Sequence, residues 1–324
     1  MSDDDLDLPP SENLAKRILA LEAVLVDAKK LVSVGDLKWD DVMSDLRLLA
    51  VNHILRRQLE SLDAALALAK MGLGHLAVSF VRPALEEMIW LKYLTDLSEE
   101  DANKIKILLA MGKNDALRSL MAQRDYVGAE TMQDLWYTDS WLNGKEATLT
   151  KVKEELKDLS AEFGWDRKSG PTMQWLAEKT DEVELYKYLH AASSRAIHFS
   201  AGEIMRRGWG APGGIMTTGP EEFRAHLSNF ALYELLELFL QTATSSDQLL
   251  EDAGISSEIP DAESQILITA GTLGELGRVP LVHAAEWNLT PEDPVPKLID
   301  QIRVCSALRN WPRERSEDLS SDSD

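Results

Sequence analysis

A chain of 324 residues that is 44% apolar can bury a sizeable core, but no stretch reaches the roughly 20 apolar residues of a membrane span, so membrane insertion is excluded. The single cysteine, Cys305, excludes an internal disulfide, a cysteine-based zinc knuckle and a thiol redox pair, and a reducing cytoplasm is the expected setting. The formal net charge of −21 repels phosphate backbones, which disfavours broad binding to nucleic acid or anionic membranes and leaves room only for a small basic site.

The opening MSDDDLDLPP has neither the basic start nor the apolar run of a signal peptide. Residues 1–12 carry five acids and residues 316–324 four, with no lysine or arginine in either. Residues 1–10 and 312–324 therefore read as disordered acidic ends. A helix is predicted from Ser11, an N-cap after Pro9 and Pro10. Leu14, Ile18, Leu21, Leu25 and Ala28 then recur at three- and four-residue spacing and form one apolar face, until Gly35 ends the run. A second helix is predicted over about 40–70, and Met71-Gly72-Leu73-Gly74 turns the chain into a third over about 75–97. Two long apolar helices joined by a tight glycine turn form an antiparallel hairpin. Pro83 falls inside the returning helix, where its missing N–H and ring clash predict a kink or a restart.

Further helices are predicted over about 100–124, 128–137, 145–163, 171–202 and 220–252. Residues 206–219 (RRGWGAPGGIMTTG) read as a loop, and Pro220 with Glu221 and Glu222 opens the next helix. The segment Phe230–Leu240 is the most apolar, and Glu234 and Glu237 within it mark it as a buried core helix. No period-2 alternation is long enough to define a sheet. The main domain is thus 11–252, followed by a linker over 253–264 and a small helical unit over 265–311. The expected fold is all-α: a multi-helix bundle with long antiparallel helices and a small C-terminal appendage.

One constellation stands out. Tyr186, His190, Ser194 and His198 are spaced four apart, so they follow one face of a helix with about 40° of drift per step. A purely apolar core would fill such a stripe with leucine. In the hairpin's return helix Arg82 and Glu86 are likewise four apart, and Trp90 and Tyr93 continue that side. These residues resemble a bacterial all-helical family known only as a domain of unknown function. Its members are expected to carry an R-x3-E helix and a later helix reading Y-x3-Y-x3-S-x3-H. Tyr186, Ser194 and His198 match, while His190 stands where tyrosine is usual. The resemblance spans about 45–240 and implies a fold but no activity. More loosely, the chain is similar to HEPN-type helical domains, many of them metal-independent ribonucleases of toxin and phage-defence systems. Their Arg is followed by His after four to six residues, whereas here only two residues separate Arg195 from His198.

Three readings of the stripe stay open: a buried polar network that locks helices in register, a ligand or partner pocket, and a catalytic site. In a catalytic site His198 is the general acid or base, Arg82 or Arg195 holds a phosphate or carboxylate, and Glu86 orients Arg82 or His198. Ser194 could act as a nucleophile with His198 as its base, although no G-x-S-x-G elbow flanks it. Neither a phosphate-binding G-x4-GK[ST] nor an H-E-x-x-H or E-x-x-H motif occurs, so no cofactor and no metal are expected. The leading expectation is a protein- or ligand-binding module in a bacterial stress or phage-defence setting, forming a homodimer. A HEPN-like ribonuclease acting on RNA at a local basic site is the alternative. The third is a transcriptional regulator that uses 265–311, since a helix, a turn and a helix of that size resemble a helix-turn-helix.

Overall fold

The computed structural model describes residues 10–31, 42–95, 101–128, 130–131, 145–165, 170–197, 208–209, 217–218, 224–252, 271 and 278–281. These form eight helices: α1 (Pro10–Leu31), α2 (Val42–Lys70), α3 (Val78–Thr95), α4 (Asp101–Val127), α5 (Lys145–Phe163), α6 (Met173–Lys179), α7 (Val183–Ile197) and α8 (Arg224–Asp252). The fold is all-α. Apart from the helices, residues 208–209 and 217–218 make a two-residue antiparallel pairing, Gly208 opposite Thr218 and Trp209 opposite Thr217. Most of the predicted helix over 128–137, of which residues 130–131 are described and helical, and nearly all of the unit over 265–311 lie outside the described residues.

The hairpin forms as its sequence dictates. At the end of α2 the Leu73 N–H donates to the Leu68 carbonyl (2.8 Å) and the Gly72 N–H to that of Ala69 (3.0 Å). This is a Schellman ending, which requires a left-handed residue just past the helix, and Gly72 supplies it with φ 73°. A 3-10 turn over Gly74–Ala77 then leads into α3. Across the hairpin Gln58 Nε2 donates to the Ala84 carbonyl (2.9 Å), and Arg57 pairs with Glu87 (2.9 Å). Arg57 and Glu87 lie equally far on either side of Gly72, so the two helices are antiparallel. The helix runs uninterrupted through Pro83, which sits in its second turn. The predicted restart does not occur, because so near the helix start only the first turn loses a donor.

The central element is α8. It packs against α1, α2, the 3-10 turn and α3, and buries Leu227, Phe230, Ala231, Leu232, Leu235, Leu236, Leu238 and Phe239. Each fully buried side chain of this size stabilises the fold by about 1.5–3 kcal/mol. A second, smaller core joins α4 to α5 through Ile107, Ala110, Leu117, Val152, Leu156 and Leu159, with Trp165 beside them. Trp90 and Trp175 touch both cores. Tyr93 lies edge-on to both, with ring centroids 6.0 Å from Trp90 and 5.8 Å from Trp175.

The helix predicted over 171–202 is in fact two. Thr172 caps α6, its hydroxyl accepting from the Trp175 N–H at 3.1 Å. Seven residues later the chain leaves the helix through Asp181 at φ 59°, and the Glu182 N–H closes back on the Ala177 carbonyl at 2.8 Å. This is a second Schellman ending, with aspartate in the place usually held by glycine. No Gly or Pro marks the break, and so periodicity alone reads straight through it.

Candidate functional site

The two helices that carry the polar constellation are neighbours. Lys92, near the end of α3, is ion-paired with Glu182, just before α7. From that pin α7 packs along α3, and so it must run back towards the start of α3. Ten residues back from Lys92 is Arg82, and ten on from Glu182 is Ala192. At 1.5 Å per residue in both helices, Arg82 and Glu86 come level with the middle of α7, where His190 stands.

Within the stripe, Arg82 Nε donates to Glu86 Oε1 at 2.8 Å, with both side chains partly covered. Tyr186 and His190 lie with ring centroids 5.0 Å apart, tilted by 43°. The Ser194 hydroxyl donates to the His190 carbonyl one turn back in its own helix. Tyr186, His190 and Ser194 are all half-buried, and the fully buried line of α7 is Leu189, Ala192 and Ser193. The stripe therefore borders the core rather than filling it. His198 and the side chain of Arg195 lie outside the described residues.

The ionisable groups that burial perturbs most are elsewhere. Glu87, beside Glu86 but turned towards α2, is pushed up to about 7 by burial, with Arg57 opposing and Glu86 adding to the rise. The larger cluster joins three distant parts of the chain. Glu234 of α8 is 0% exposed and sits 3.3 Å from the Nε of Arg278. The pairing is electrostatic, since neither carboxylate oxygen accepts a hydrogen bond among the described residues. Burial raises the Glu234 carboxyl to about 7 against the pull of Arg278. Arg17 of α1 is 1% exposed, and its Nε donates to Asn229 Oδ1 at 3.1 Å. Burial lowers its guanidinium to about 10, with Tyr233 and Glu234 holding the charge in place. Both guanidiniums approach the Tyr233 ring, Arg17 at 5.2 Å and Arg278 at 5.6 Å from its centre.

This cluster was not among the sequence candidates, although Arg17 and Glu234 each left a signal. Arg17 occupies an apolar position of α1, three residues from Leu14 and four from Leu21. Glu234 interrupts the most apolar segment of the chain. An ionisable group inside an apolar run must find a partner or lose its charge, but the sequence does not say which partner.

Residues 48–214 match the family described as "Family of unknown function (DUF5677)", which is just over half of the chain. The chain belongs to this family. The DUF5677 match runs from within α2 to beyond Trp209, so it contains Arg82, Glu86, Tyr186, His190 and Ser194. Arg17, Glu234 and Arg278 fall outside it. No curated protein and no solved structure matches the chain. No helix among the described residues is long and apolar enough to cross a membrane. None of their His, Cys, Asp and Glu side chains form a group of three able to hold a metal ion.

Proposed function

We propose that this DUF5677 protein is a binding module rather than an enzyme, and that it takes a protein or small-molecule partner on the polar border between α3 and α7. The resemblance noted from the sequence supports a bacterial stress or phage-defence setting, the single cysteine a cytoplasmic one, and the apolar faces of the helical hairpin a homodimer. The observation that carries the reading is how the polar groups are used. The Ser194 hydroxyl donates to a carbonyl of its own helix, and Arg82 is engaged by Glu86. A serine nucleophile would need its hydroxyl directed at a base, and a phosphate-holding arginine would need its fork turned to the ligand. Half-buried aromatic and polar side chains at the edge of a core suit recognition instead, since they offer contact area and hydrogen bonds.

The rival is a metal-independent ribonuclease that uses His198. Incubation of wild type and His198→Ala with labelled RNA in EDTA separates the two. The binding reading expects no cleavage by either protein. It also expects Arg82→Gln to keep the circular dichroism of the wild type and to lose the thermal shift produced by any ligand found in a metabolite screen. Cleavage by wild type that disappears in a folded His198→Ala variant overturns it.

A further inference from the structure

The turn that joins α6 to α7 borders a cavity of about 320 Å³ lined by Lys92, Tyr93, Lys179, Thr180 and Asp181. This volume is at the low end of the range that takes a small ligand. Hydrogen bonds lock the turn in place. The Thr180 N–H donates to the Leu176 carbonyl at 3.0 Å, and the Glu182 N–H closes the Schellman ending on Ala177. Lys179, Thr180 and Asp181 are therefore consecutive wall residues on a fixed backbone. The Thr180 hydroxyl also donates to the Leu176 carbonyl, at 3.0 Å, which leaves its lone pairs to accept. Lys92, from the end of α3, is held by its ion pair with Glu182.

The surroundings carry both signs of charge. Lys179 Nζ lies 5.3 Å from the centre of the Trp175 ring. Lys104 of α4 is 4% exposed and brings its Nζ to 5.1 Å from the centre of the Tyr93 ring. With Lys92, ammonium groups from α3, α4 and α6 gather around two neighbouring rings, in a chain whose net charge is −21. Against them stands Asp181. Its carboxylate and the Lys179 ammonium line the same cavity, yet they do not pair with each other, and neither has an ion pair among the described residues. Two opposite charges held apart on one small space match a ligand with a carboxylate at one end and an ammonium at the other. Asp181 also sits at φ 59°, where glycine is unstrained, and strain kept beside a cavity points to a site.

We propose that this cavity binds a free amino acid. Lys179 takes its carboxylate, and Lys92 and Lys104 add to the positive field there. The Asp181 carboxylate and the Thr180 hydroxyl oxygen take its ammonium, and the Tyr93 ring offers apolar surface to the first carbons of its side chain. Lys92 stands ten residues beyond Arg82 on α3, about 15 Å along the helix. The site is therefore separate from the polar part of the α3–α7 border, and the inference stands whether or not that border binds anything.

The test uses the full chain and dye-based thermal melts at pH 7.5 and constant ionic strength. Each of the twenty L-amino acids is added at about 10 mM, or at saturation where less soluble. At least one is expected to raise Tm by about 2 °C or more. Its N-acetyl form, which lacks the ammonium, and its amide, which lacks the carboxylate, are expected to leave Tm unchanged. Asp181→Asn removes the charge and keeps a residue that tolerates the left-handed backbone. Lys179→Met removes the ammonium and keeps an apolar stem. Both variants, their fold checked by circular dichroism, are expected to lose the shift, whereas Arg82→Gln keeps it. The proposal is overturned if no amino acid moves the melt, if the blocked forms act equally, or if the shift survives in both wall variants. A shift lost in Arg82→Gln but kept in the wall variants also overturns it, and assigns the ligand to the polar part of the α3–α7 border.

Discussion

Replacing Glu234 by glutamine tests whether burial or ion pairing governs the centre of α8. The carboxyl is fully buried, and its raised value of about 7 means that the folded protein holds a proton which the unfolded chain gives up near 4.5. Such a group contributes stability that is full below pH 4.5 and is lost as the pH rises to about 7. Moving the carboxyl from 4.5 to about 7 corresponds to roughly 3 kcal/mol. Glutamine resembles the protonated acid at every pH. Urea unfolding of both proteins at pH 5, 6, 7 and 8 should therefore give stabilities within about 1 kcal/mol of each other at pH 5. At pH 8 the glutamine protein should be roughly 2–3 kcal/mol more stable, even though it has lost the charge that faces Arg278. The groups around the carboxyl are the same in both proteins: Arg17 from α1, Tyr188 from α7, Tyr233 and Glu237 from α8, and Arg278. Glu87 titrates in the same window, but it is also common to both and cancels in the difference. A glutamine protein less stable than wild type by a constant amount at every pH would refute the reasoning, since the Arg278 pair would then outweigh desolvation.

Two further substitutions probe the turns. Asp181→Gly relieves a non-glycine residue at φ 59° in the Schellman ending of α6, and should raise stability by about 0.5–1 kcal/mol in urea unfolding; a loss would mean that the aspartate side chain stabilises this turn by more than its backbone strain costs. Gly74→Ala places a methyl group 2.6 Å from Ser228 Oγ and 2.9 Å from the Ala69 backbone. Because the backbone cannot yield as a side chain can, overpacking of about 1–3 kcal/mol is expected, seen as a lower urea midpoint with an unchanged slope.

Much of this protein is legible in one dimension. The all-α class, the glycine-turned hairpin of α2 and α3 and the long core helix around Phe230–Leu240 follow from periodicities of three and four and from Gly72, because these depend on neighbours a few residues away. The Arg82–Glu86 pair is legible for the same reason, since four residues along a helix is already contact distance. The family match adds that the α2–α7 region is shared with other chains. What the sequence could not determine is which distant residues meet. The break at Asp181 carries no Gly or Pro, so only the course of the folded chain, turning there to lay α7 back along α3, reveals it. The meeting of Arg17, Glu234 and Arg278 is likewise a tertiary event, joining positions 17, 234 and 278. Burial of an ionisable group depends on what covers it from other helices, and no spacing along a single helix records that.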